Sequence, residues 1–130
     1  MKKLIVLISL LLAPVVSLAA GEVNTFALQT QAQDQYYNYS FGTVFVHTRA
    51  WADFTLTANG PDATLVRRIV IRGFAYDADS NCPEVLMPGR TCTTRVYYWP
   101  TSQGPHWGEL TFVLNDSNIY IRLFGNTFQR

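Results

Sequence analysis

From residue 36 onward, apolar side chains recur at every second position and are interrupted at short intervals by Gly, Pro, Asn and Asp. This alternation constrains the chain more than any other feature, because successive side chains on a strand point to opposite faces of a sheet. It predicts short antiparallel strands, each with one buried and one wet face. No stretch after the first twenty residues keeps the 3.6-residue period of an amphipathic helix.

The alternation and its turn signals place the strands. The first is expected over Tyr36–His47, with Gly42 marking a bulge between Phe41 and Val44. Ala52, Phe54, Leu56 and Ala58 form one face of the next, which ends in the turn Asn59-Gly60-Pro61-Asp62. A third strand covers Leu65 to Phe74. Both of its faces carry Arg, and the bulkier set Leu65, Ile69 and Ile71 is expected to point inward. Asp77 to Arg90 reads as the longest irregular stretch. Thr94, Val96 and Tyr98 then alternate up to Pro100, which cannot donate to a ladder. Leu110, Phe112 and Leu114 face Ile119, Ile121 and Leu123 across the turn Asp116-Ser117-Asn118. Six or seven strands of this spacing predict an all-β, immunoglobulin-like two-sheet antiparallel sandwich.

The N-terminal twenty residues read as a secretory leader: Lys2-Lys3, the apolar run Leu4 to Val16, and the small residues Ser17-Leu18-Ala19 before cleavage after Ala19 or Ala20. Ser9 and Pro14 interrupt the run, which is shorter than the roughly 20 residues of a spanning helix. The expected organisation is a signal peptide over 1–19, a flexible or loosely docked Gln-, Thr- and Ala-rich arm over 20–35, and one domain over 36–130. The expected location is periplasmic or secreted, with no transmembrane segment in the mature chain.

Cleavage would remove both Lys of the chain and leave eight Arg against nine Asp and Glu. So even a balance argues against nucleic acid as a partner. Two Cys in an exported chain read as one disulfide, Cys82 to Cys92. Closing a loop of about ten residues stabilises the fold by roughly 2.5 to 3 kcal/mol.

The marks Phe41-Gly42-x-Val44, Thr57-Ala58-Asn59-Gly60, Cys82, Pro88-Gly89-x-x-Cys92, Tyr98-Trp99-Pro100, Gly104, Gly108-x-Leu110 and Leu123-Phe124-Gly125 occur in an order and spacing that carry a likeness. In these marks the chain resembles the immunoglobulin-like domain of the ASPM/SPD-2/Hydin (ASH) family, related to the major-sperm-protein domain. The resemblance implies the sandwich fold and a structural or interaction role. It implies no catalytic site.

The residues themselves offer few reactive constellations. Asp77-x-Asp79-x-Asn81 has the oxygen spacing of a calcium loop, but Cys82 stands where that loop needs Gly and Pro88 where it needs Glu. Nucleophilic hydrolysis would have to draw on His47 or His106, with no Gly-x-Ser-x-Gly motif present. No catalytic residue and no cofactor are therefore expected. Tyr97, Trp99, Tyr120 and Phe124 fall opposite the predicted core and Trp107 adds a ring on a loop, which makes these five the candidate binding surface. Arg67, Arg68, Arg72, Arg95 and Arg122 form a further candidate patch for carboxylates. The function expected is an exported, non-catalytic module that binds an envelope or extracellular protein through a sheet edge or the aromatic face. Carbohydrate binding through Trp99, Trp107 and Tyr97 is the alternative. A PapD-type assembly chaperone fits less well, because such chaperones use two sandwich domains.

Overall fold

The structure, a computed structural model, describes residues 24–129. The leader expected over residues 1–19 and its cleavage site lie outside the described residues. Nine strands follow one another: β1 (Thr25–Gln29), β2 (Gln35–Phe45), β3 (Ala50–Thr57), β4 (Thr64–Arg72), β5 (Tyr76–Ser80), β6 (Val85–Leu86), β7 (Thr91–Tyr98), β8 (Gly104–Leu114) and β9 (Asn118–Phe128). They form two sheets packed face to face, one in the order β2-β9-β8-β4-β6 and the other β1-β3-β7-β5. Pairing is antiparallel except for β2 with β9 and β1 with β3.

The core follows the alternation. Ala52, Phe54 and Leu56 of β3, Thr94, Val96 and Tyr98 of β7, Leu110, Phe112 and Leu114 of β8, and Ile119, Ile121 and Leu123 of β9 are all buried. Each fully buried Leu, Ile or Phe contributes about 1.5–3 kcal/mol by leaving water. The disulfide is present, with the Cα atoms of Cys82 and Cys92 4.9 Å apart. Gly42, at φ 76°, sits where the β2–β9 register slips, as expected of a bulge.

Four of the family marks, Phe41, Tyr98, Gly108 and Gly125, meet at one spot. Tyr76 and Tyr98 stack in the core with ring centroids 5.0 Å apart, and Phe41 packs on both at 5.9 and 5.6 Å. A side chain at Gly125 would collide with the Tyr98 ring, and one at Gly108 with Tyr76. These glycines are therefore spaces for two tyrosines. Burial pushes the phenols of Tyr39, Tyr76 and Tyr98 above their ordinary range, which keeps them neutral.

Three expectations need correction. Thr25–Gln29, placed by the sequence in a flexible arm, is an edge strand parallel to β3. Leu28 is buried and the Phe26 ring packs on Tyr37 and Phe54 at 5.4 and 5.6 Å, so two apolar anchors fasten an otherwise polar segment. In β4, Leu65 is exposed and Val66 buried, while Ile69 and Ile71 do point inward. A register slip between Val66 and Arg68 switches the faces, which is why both faces carried Arg in the sequence. Finally, the stretch Asp77 to Arg90 is not wholly irregular, because Tyr76–Ser80 and Val85–Leu86 are strands.

Candidate functional site

The sandwich turns one outer face of each sheet to solvent, and the two differ. On the four-stranded sheet, register sets Trp51, Tyr97 and Asp77 in one row and Asp53, Arg95 and Asp79 in the next. Arg95 donates from Nε and Nη2 to the two oxygens of Asp53 at 2.7 and 3.0 Å, and its guanidinium lies 3.9 Å over the Trp51 ring. The hydrogen bonds to Asp53 hold that guanidinium firmly charged. Arg49 sits 5.2 Å from the centroids of both Tyr97 and Trp99. The cations of this face are engaged within the chain.

On the five-stranded sheet, Asn38, Arg122, Glu109 and Arg72 form a row across β2, β9, β8 and β4. Tyr36 and Tyr120 form the row on one side and Ser40, Phe124 and Trp107 the row on the other. Tyr36 stacks on Tyr120 at 5.1 Å, and Trp107 packs on Phe124 at 4.4 Å. Tyr36 is 73% and Trp107 61% exposed. Arg68, Arg72 and Arg122 are also exposed. Among the described residues, the Arg95–Asp53 contact is the sole ion pair, so these three cations have none. A depression of about 380 Å³ is lined by Arg72, Gly73, Trp107, Gly108, Glu109 and Arg122. Another, of about 240 Å³, shares Glu109 and Arg122 and runs on to Tyr36 and Asn38 at the sheet edge.

That edge is β2, eleven residues without Lys, Arg, Asp, Glu or Pro. Charge and proline are the usual guards of an unpaired edge. The edge strand β5 of the other sheet carries Asp77 and Asp79.

The five aromatic candidates therefore do not form one surface. Trp107, Tyr120 and Phe124 share the outer face of the five-stranded sheet, while Tyr97 and Trp99 belong with the opposite sheet. Tyr36, which completes the first group, carries no separate signal in a sequence where Tyr36, Tyr37 and Tyr39 look alike. Its role follows from register with Tyr120. Phe74 was also missed. It is 82% exposed and its ring meets His106 edge-on at 5.6 Å.

The reactive candidates lie apart from one another and make local contacts. Asp77 and Asp79 lie on an extended strand rather than a loop. Asp77 Oδ1 accepts from the Ala78 amide at 2.9 Å and Asn81 Oδ1 from the Thr93 amide at 2.8 Å. No group of three or more His, Cys, Asp or Glu is placed to hold a metal among the described residues. His47 is exposed in a turn at φ 67°. His106 is a buried residue of β8. Its Nδ1 is 2.7 Å from Tyr98 Oη and its Nε2 3.2 Å from Ser102 Oγ, and Tyr98 Oη is 2.6 Å from Thr127 Oγ1. Where a hydrolytic triad holds a carboxylate, the imidazole here meets a neutral phenol. This network ties β7, β8 and β9 together at one end of the sandwich.

Comparison with solved structures fits this architecture. The ASH/PapD-like domain of human CEP192 superposes with a TM-score of 0.53 at 10% identity, covering 74% of this chain and 84% of that one. The fold is that of an ASH-type immunoglobulin-like domain. Other likenesses of the same fold are to the Vibrio cholerae VesB protease (TM-score 0.57, 17% identity, 72% of this chain) and to PbICP-C in its complex with falcipain-2 (TM-score 0.50, 8% identity, 78% of this chain and 98% of that one). This chain spans 30% of the length of VesB. At these identities the two-sheet β-sandwich fold is what is shared. No family model matches the sequence. No curated protein matches it.

Proposed function

We propose that this protein is an exported, non-catalytic interaction module that docks a protein partner on the β2 edge and the adjoining outer face of the five-stranded sheet. The observation that carries this reading is the eleven-residue, uncharged, proline-free edge, which is continuous with the exposed ring pairs Tyr36–Tyr120 and Trp107–Phe124. An edge strand without charge or proline offers main-chain donors and acceptors, and exposed Trp and Tyr supply the large contacts that dominate interfaces. The PbICP-C domain, of the same fold, is known in complex with another protein, which supports this use of the scaffold. The leader-like residues 1–19 and the disulfide support export.

Carbohydrate binding through Trp99, Trp107 and Tyr97 is the weaker reading, because these rings divide between the two faces. The test is affinity capture from envelope and culture fluid with the protein and with Asn38→Lys and Ser40→Lys variants, which place charges along β2. A saturable protein partner captured by the original and lost with both variants is expected. Capture unaffected by the edge charges, or binding to neutral glycans alone, contradicts the reading.

A further inference from the structure

The two depressions on the outer face of the five-stranded sheet meet at Glu109 and Arg122, which line both, and together they make an interrupted trough from the β2 edge to Gly73. The guanidiniums of Arg122 and Arg72 flank it, one on each side of Glu109, and neither has an ion-pair partner among the described residues. On the opposite face, Arg95 has a bidentate carboxylate from Asp53. The cation-rich face contains no Asp to play that part, and its one carboxylate, Glu109, stands between two cations.

We propose that the trough is a carboxylate-binding site for an acidic segment of the protein partner, whose Asp or Glu side chains complete Arg122 and Arg72 in the way Asp53 completes Arg95. This deepens the docking reading above and rests on it. A planar guanidinium presents paired donors that match a carboxylate bidentately, and two unpaired guanidiniums on one flat sheet give charge complementarity to an anionic strand. One feature favours a polypeptide over an acidic glycan: the trough opens at β2, whose free amides and carbonyls can pair with a peptide backbone.

The experiment titrates the full domain with a fluorescein-labelled Glu-rich extended peptide, its Glu-to-Gln counterpart, and an oligogalacturonate of equal charge. The expected result is binding of the Glu peptide at least tenfold tighter than the Gln peptide, weakening steeply with salt. Arg72→Gln with Arg122→Gln should remove at least tenfold of that affinity at unchanged melting temperature. Glu109→Gln, which deletes the like charge, should raise it several-fold. No binding of the Glu peptide, equal binding of the Gln peptide, weakening by Glu109→Gln, or tighter binding of the oligogalacturonate would overturn the proposal. Partner capture that survives loss of both Arg would refute the carboxylate site and leave the docking module standing. Peptide binding with the expected Arg dependence, but no captured partner, would do the reverse.

Discussion

The outer faces of the two sheets are built from similar residues, Arg with Tyr and Trp, yet they are wired oppositely. On the four-stranded sheet Arg95 is held by Asp53 and Trp51, and Arg49 lies against Tyr97 and Trp99, so the face satisfies itself. On the five-stranded sheet the rings pair with rings, and Arg68, Arg72 and Arg122 are left without carboxylates among the described residues. Of the edges, β5 carries Asp77 and Asp79, whereas the eleven-residue β2 carries no charge; the uncharged edge β1 of the four-stranded sheet is only five residues long. Composition alone would rate the faces equal. What separates them is register, which decides whether a cation meets an anion of its own chain.

Several substitutions can break or sharpen this contrast. The largest effect is expected from Gly125→Ala, which drives a methyl into the Tyr98 ring beneath both faces. Overpacking of this kind costs about 3 kcal/mol, read as a fall in thermal or denaturant stability. A neutral outcome would mean that the two sheets can part without cost. Replacing both Cys82 and Cys92 by Ser should lower stability by about 2.5 kcal/mol by freeing the loop they close. Hydrogen exchange should then quicken at β5 of the four-stranded sheet more than at β2 and β9 of the five-stranded one, and uniform quickening would remove the distinction between the two sides.

Next comes Trp107→Ala, expected to weaken partner binding by about 2 kcal/mol, or some thirty-fold, as for an exposed anchor at an interface. Its stability should shift by no more than about 0.5 kcal/mol, whereas an effect on stability alone would make Trp107 a packing residue. The smallest effect is assigned to Asp53→Asn. Loss of the solvent-screened pair with Arg95 should change stability only slightly and leave partner binding unchanged. Weakened binding in that variant would bring the four-stranded face into the interface.

Much of the fold was legible because its cause is local. Ala52-Phe54-Leu56 and Leu110-Phe112-Leu114 alternate, the bulge at Gly42 needs a residue tolerant of positive φ, and the two Cys stand ten residues apart. The misses have non-local causes. Strand β1 exists because Phe26 and Leu28 find Tyr37, Phe54 and the rest of the core, contacts that a Gln- and Thr-rich stretch does not announce. Leu65 was turned the wrong way because a bulge at Arg67 resets the alternation within a single strand. Trp107, expected on a loop, lies on strand β8, and which of the aromatic candidates share a face depends on which sheet each strand joins. Sequence alternation distinguishes in from out and is silent on one sheet against the other.

The most direct test places a photo-crosslinking residue at position 107 in one protein and at position 99 in another, then irradiates each with the partner source. Specific, saturable crosslinks to a protein from position 107 but not from position 99 are predicted. Crosslinks from 99 alone would put the docking side on the face that already satisfies itself and contradict the reading developed here.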